Sequence, residues 1–188
     1  MKLTLLRHGI TRGNLERLYY GSTDLPLLSE SAEELKKNAA EGVYPKAERY
    51  YTSGMLRAEQ SFEAIYGRVP HGILPGMREI DFGAFEMRSY EDLKSDPEYL
   101  EWITGDNEAN VCPGGESGVL VTERALNALK PVIAEGLDAV VVTHGGVIGG
   151  VLAAFFPDSN GRYDFTPEPG HGYTVEFIDG KPCSCSPI

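Results

Sequence analysis

Of the four histidines in this 188-residue chain, two share one setting. His8 follows the apolar run Leu3 to Leu6 through Arg7 and precedes Gly9. His144 follows Val140-Val141-Val142-Thr143 and precedes Gly145-Gly146. Each therefore stands where a buried strand gives way to a glycine-led turn. In open α/β sheets, ligands bind just outside the carboxyl ends of strands, so both imidazoles are expected at the edge where a site forms. A lone histidine is most often structural, but two at matching strand ends point to function. His71 and His171 lack this context and read as ordinary. Basic residues gather at the same places: Arg7 adjoins His8, Arg12 lies four residues beyond it, and Arg57 falls near the start of a helix. Loop arginines often do no more than pair with acids. A planar guanidinium fork, however, suits phosphate oxygens, and helix N-termini favour anions. Together these groups describe a pocket for a phosphoryl group.

Phosphate-ester cleavage also needs a proton donor, because the leaving alkoxide is too basic to depart unassisted. Glu79, in Arg78-Glu79-Ile80-Asp81-Phe82-Gly83, sits just past an expected strand among apolar neighbours. A carboxyl buried beside a bound dianion stays protonated at higher pH than a solvated one. Asp81 and Glu86 are its competitors, and spacing alone does not separate the three.

The elements that must position these groups follow from periodicity. Strands are expected at Lys2 to Leu6, Glu48 to Thr52, His71 to Leu74, Asp138 to Thr143 and Tyr173 to Ile178. Helices are expected at Ser31 to Ala40, Met55 to Tyr66 and Gly145 to Phe156. A further helix, capped by Ser117, runs through Leu126 and Leu129 until Pro131 kinks or ends it. Leu93 to Ile103 reads as an irregular helix interrupted by Pro97, and Gly21 to Ser29 and Pro157 to Gly172 as loops. Alternating strands and helices imply an α/β fold with a mostly parallel central sheet and helices on both faces. Without an internal repeat or linker, residues 1–188 are expected to form one domain, in keeping with the length.

Composition narrows the function classes. Seventeen Lys+Arg against 28 Asp+Glu leave a net charge of −11, which argues against a nucleic-acid or anionic-membrane surface. The longest nearly apolar run, Gly145 to Phe156, is too short to cross a bilayer. The first residues lack the pattern of a signal peptide, so a cytoplasmic protein is expected. Three cysteines, Cys112, Cys183 and Cys185, do not make a secreted disulfide framework and read as reduced thiols.

Further motifs carry a family resemblance along nearly the whole chain. Leu6-Arg7-His8-Gly9-Ile10-Thr11 with Asn14 resembles the RHG signature of the histidine phosphatase superfamily, which includes cofactor-dependent phosphoglycerate mutases. Gly21-Ser22-Thr23-Asp24-Leu25-Pro26-Leu27, Ser53 through Gln60 around Arg57, and Glu79-Ile80-Asp81-Phe82-Gly83 are similar to that family's next three elements. Pro113-Gly114-Gly115-Glu116-Ser117 and Val142-Thr143-His144-Gly145-Gly146 are similar to its last two. The resemblance implies a phosphoglycerate mutase-like fold and a metal-independent phosphomonoesterase using no cofactor. Within it, His8 would be the nucleophile, and Arg7, Arg57 and His144 would bind the phosphoryl oxygens. Asn14 and Gly145 would join the phosphate site, and Glu79 would be the acid and later the base. The implied partner is a small phosphorylated metabolite, acted on by a monomer or homodimer. The first loop, Asp81-Phe82-Gly83 and the Pro113 to Ser117 loop look most like α-ribazole-5′-phosphate phosphatases, and the short chain favours hydrolysis over mutase chemistry. Phe85-Glu86-Met87 replaces a common Trp-Glu-Gly, and Glu30-Ser31 stands where a glycine usually closes the first loop. Mutase-type transfer, a zinc site made of His8, His144 and Glu79, and a non-catalytic phosphate binder are the alternatives.

Overall fold

The computed structural model describes residues 1–106 and 108–188. Its first strand, β1 (Lys2–Arg7), is followed by the short helix α1 (Arg12–Leu15), a two-residue strand β2 (Leu18–Tyr19) and helix α2 (Ser29–Ala40). Next come β3 (Arg49–Thr52), α3 (Leu56–Tyr66), β4 (Gly72–Ile73), β5 (Arg88–Ser89), α4 (Tyr90–Leu93) and α5 (Pro97–Ile103). The chain closes with α6 (Gly118–Glu135), β6 (Ala139–Thr143), α7 (Gly145–Phe155), β7 (Gly172–Ile178) and β8 (Lys181–Pro187).

The main sheet has the order β4-β3-β6-β1-β7-β8. The first four strands are parallel to one another, while β7 and β8 add an antiparallel edge. The β-branched stretch Ala139 to Thr143 is buried throughout, as expected of a parallel strand covered on both sides. Side chains alternate across it. Leu3, Leu5, Ala139 and Val141 pack with α6 and α7 through Leu129, Ile148 and Leu152. Leu6, Val140 and Val142 pack on the opposite face with Leu35 of α2 and Phe62 of α3. The α/β architecture expected from the element order is the one observed.

Two local expectations change, and the tail adds a strand. Pro131 does not end α6, which runs on to Glu135 and stops at Gly136 in the left-handed region at φ 74°. Pro131 is exposed, so the carbonyl it leaves without an N–H partner can be hydrated. Pro97 begins a helix rather than interrupting one: Asp96 caps α5 by accepting from Glu98 N, with Pro97 in its first turn. Cys183 and Cys185 lie in β8, which pairs with β7 through a turn whose Asp179 and Gly180 have φ of 50° and 73°. A two-residue turn with both φ values positive matches the twist of a hairpin.

Candidate active site

The order β3-β6-β1 sets three parallel carboxyl ends side by side. In register, Arg7 pairs with Thr143, and the His8 backbone N–H donates to Thr143 O at 3.0 Å. Ser53 follows β3 directly, and its backbone N–H donates to Val142 O at 3.1 Å. One sheet edge therefore delivers Arg7, His8, His144 and Ser53.

The two imidazoles lie 5.2 Å apart between centroids and are almost completely buried, at 2% and 0% exposure. His8 Nδ1 is 2.6 Å from Gly9 O. A carbonyl can only accept, so Nδ1 carries the proton and Nε2 keeps its lone pair. At His144, Nδ1 accepts from Arg57 Nε at 3.3 Å, which leaves Nε2–H to donate to Ser53 Oγ at 2.8 Å. Burial first, and the Arg57 charge second, lower both pKa values: His8 to about 3 and His144 well below its ordinary range. Both rings are neutral at physiological pH.

Cationic groups surround this neutral pair. Arg57 is fully buried. It donates to Gly21 O at 2.8 Å and Thr23 O at 3.0 Å, and its guanidinium lies 4.9 Å from the Tyr20 ring centroid. Arg7 donates to Pro167 O at 2.7 Å, while its buried Nε has no partner among the described residues. An orphaned donor on a buried guanidinium suits an incoming anion. Asn14 Oδ1 is consumed by Thr11 N and the Tyr20 hydroxyl at 2.9 Å each, so only its amide end is left to offer a ligand.

The two glycines after His144 are seats for other groups. A Cβ on Gly145 would lie 3.1 Å from the Arg7 guanidinium carbon, and one on Gly146 would lie 2.8 Å from Glu79 Oε1. Glu79 Oε2 accepts from Gly146 N at 3.3 Å. The N-terminal turn of α7, positive by its dipole, thus meets His144, Arg7 and Glu79 together.

Residues 3–183 match the histidine phosphatase superfamily (branch 1). The chain belongs to that superfamily. An adenosylcobalamin/alpha-ribazole phosphatase of Salmonella typhimurium is 28% identical over 187 residues, covering 96% of this chain and 92% of that one. A protein of Escherichia fergusonii named "Probable phosphoglycerate mutase GpmB" is 27% identical, covering 79% and 72%. The alpha-ribazole phosphatase structure from Shigella flexneri superposes with a TM-score of 0.86 at 22% identity, covering 97% and 93%. TTHB049 from Thermus thermophilus, 32% identical, superposes at 0.75 and covers 98% of each chain.

Within this histidine phosphatase fold, geometry separates the three acidic candidates. Glu86 accepts four backbone N–H groups, from Gly21, Ser22, Thr23 and Phe82, at 2.9–3.1 Å. Burial raises its pKa, but the hydrogen bonds from Thr23, Phe82 and Ser22 outweigh it, and the net shift is downward. Asp81 Oδ1 accepts from Gly83 N at 2.8 Å and Ser22 Oγ at 3.1 Å. Both are loop anchors, whereas Glu79 lies at the mouth of α7. Glu86→Gln removes the charge from a carboxylate that takes three of these donors on Oε1 and Thr23 N on Oε2, and is expected to destabilise the fold by about 1–3 kcal/mol. Urea unfolding at pH 7 measures the loss, and an unchanged midpoint would contradict the anchor.

The remaining basic and histidine positions lie elsewhere. Arg12 is exposed and pairs with Glu16 at 2.6 Å. His71 faces Glu59 at 2.9 Å, and His171 Nδ1 meets Ile188 O at 3.0 Å. Sequence reasoning missed two groups. Ser53 accepts from His144 Nε2–H, and its place just past a strand end was the available signal. Arg124, in mid-α6, clasps the Glu79 segment, and nothing in its sequence context marks it.

The neutral histidines predict a pH dependence of stability. Below about pH 6.5 the unfolded chain protonates both rings and the folded chain does not, so the unfolded state binds more protons. Stability is intact above that pH and falls by about 1.4 kcal/mol per pH unit per histidine below it. Thermal melts are expected to drop between pH 6.5 and 5, and the bound dianion tungstate, which favours protonated rings, narrows the drop. A flat profile over that range would contradict the neutral pair.

Proposed function

We propose that this histidine phosphatase is a metal-independent phosphomonoester hydrolase of the cytoplasm, acting on a small phosphorylated metabolite. The observation that carries this reading is His8, whose Nδ1–H is committed to Gly9 O at 2.6 Å while Arg57 and His144 flank the ring. Nε2 attacks phosphorus in line, a P–N bond forms, and the P–O bond to the alcohol breaks. Glu79 gives its proton to the departing oxygen. It then takes a proton from the water that attacks phosphorus as the P–N bond breaks, which releases orthophosphate and restores His8. Arg7, Arg57, the Asn14 amide and the Gly145 end of α7 neutralise the equatorial oxygens, and His144 joins them by exchanging the Ser53 contact of its Nε2–H for one to phosphate. No step needs an added charge, because two guanidinium groups supply it.

The zinc alternative fares poorly on donor chemistry. His144 Nδ1 accepts from the Arg57 guanidinium, a fixed cation that repels a dication beside it, and among the described residues no group of three or more His, Cys, Asp or Glu side chains is arranged to hold a metal ion. Hydrolysis of p-nitrophenyl phosphate is expected to proceed equally with and without EDTA. Activity lost on chelation and restored by zinc would overturn the reading. The Salmonella typhimurium relative makes α-ribazole 5′-phosphate the first natural ester to assay, with 3-phosphoglycerate as the mutase comparison. No helix among the described residues is long and apolar enough to cross a membrane.

A further inference from the structure

A cavity of about 240 Å³ is lined by Glu79 and Gly146, and so lies within reach of an alcohol whose oxygen Glu79 protonates. Its walls come from chain segments far apart in sequence. Tyr19 of β2, Phe82 of the acid segment and Trp102 of α5 pack edge-on, with centroids 5.3–6.1 Å apart, and Ile80 joins them. Tyr163, 74% exposed, stands at the rim. The single cation among the described residues of this wall, Arg162, is clasped by both carboxylate oxygens of Glu108 and also donates to Gly146 O at 3.2 Å. Among the described lining residues no free positive charge is left there for a ligand carboxylate. We propose that this cavity is the leaving-group subsite and selects a flat, uncharged aromatic or heteroaromatic ring. The volume lies below the roughly 300–1,000 Å³ of pockets for drug-sized ligands, so the ring system is small. Edge-on aromatic walls reward a ring over an alkyl chain.

This proposal rests on the phosphatase reading, and its test separates the two. Benzyl and ethyl phosphate leave as alcohols of similar acidity, so their kcat/KM ratio isolates recognition of the ring. The native enzyme is expected to favour benzyl phosphate by about 10²-fold, and to turn over 3-phosphoglycerate no better than ethyl phosphate. Trp102 is the only tryptophan, so its fluorescence reports occupancy independently of turnover. Benzylphosphonate is expected to shift it saturably at far lower concentration than ethylphosphonate. Equal kcat/KM values and equal binding, or a preference for 3-phosphoglycerate, would overturn the subsite while leaving the phosphatase reading intact. Phosphonate binding through the ring in a protein that hydrolyses no ester would support the subsite and overturn the phosphatase reading.

A separate observation concerns Arg124. Its five N–H donors are all used: Nε and Nη2 grip both oxygens of Glu116, and the others hold Gly76 O, Arg78 O and Glu79 O at 2.6–2.9 Å. Glu116 Oε2 in turn accepts from Asp81 N at 3.1 Å. We infer that Arg124 is a positioning residue, setting the Glu79 carboxyl against the leaving oxygen by clasping the backbone on both sides of it. Lysine cannot reproduce a five-donor planar grip. Arg124→Lys is expected to raise the kcat/KM ratio of p-nitrophenyl to benzyl phosphate by about tenfold, because kcat/KM covers the steps up to departure of the alcohol, where only the poor leaving group needs the acid. Glu116→Gln, which loosens the same grip and keeps Arg124, is expected to move the ratio in the same direction. Equal losses on both esters in both variants would overturn the inference. Glu79→Gln measured in parallel separates this result from failure of the acid assignment itself.

Discussion

His8→Ala is expected to abolish turnover of every phosphomonoester, by on the order of 10⁴-fold or more. The effect is uniform across substrates because the nucleophile serves any leaving group. A protein that used water directly would keep most of its activity on good leaving groups. Folding is the necessary control, since His8 is buried between Arg57 and His144. The buried neutral ring makes that control informative. The native protein must keep His8 uncharged below pH 6.5, and alanine has no such requirement. The variant is therefore expected to lose roughly half of the acid sensitivity of the native fold, while binding tungstate through Arg7 and Arg57. Full activity in a folded His8→Ala protein would remove the covalent mechanism.

Glu79→Gln is expected to have the second largest effect, and a selective one. Gly146 N and Ile80 N approach different oxygens of Glu79, at 3.3 and 3.0 Å; glutamine keeps one of these acceptors and the shape of the side chain, so urea unfolding is the folding control. Glutamine has no proton to give. On benzyl phosphate the loss is expected to reach about 10²–10⁴-fold. On p-nitrophenyl phosphate, whose leaving group departs without protonation, phosphorylation of His8 is far less affected, and breakdown of the intermediate, which needs a base, becomes limiting. A burst of nitrophenol followed by a slow steady rate is the expected trace. Equal losses on both esters without a burst would transfer the role to another group.

Much of this site was legible because it lies where local patterns end. The runs at Leu3 to Leu6 and Val140 to Val142 announce buried parallel strands, and a residue just past such a strand has one place to go. His8, His144 and Arg57 follow from that. The choice among Glu79, Asp81 and Glu86 did not, since it rests on which backbone groups arrive from residues 21–23 and from Gly146. Nothing in the eight residues from Glu79 to Glu86 encodes those partners. Arg124 was invisible for a related reason: in a single helix it resembles any half-exposed arginine, and its role exists only where the loop of residues 76–81 crosses it. The strand β8 was missed because Lys181-Pro182-Cys183-Ser184-Cys185 has little strand propensity of its own. Pairing with β7 imposes the conformation, and an edge position tolerates its prolines.

The most direct test of the central claim is to catch the intermediate. A ³²P-labelled ester, mixed with the native enzyme and quenched in denaturant at alkaline pH during steady turnover, is expected to leave label on the peptide containing His8. That label should survive base and be lost in acid, and with p-nitrophenyl phosphate as the ester Glu79→Gln should increase it by slowing its hydrolysis. Steady turnover with no label on protein, or label on any other residue, would contradict the account.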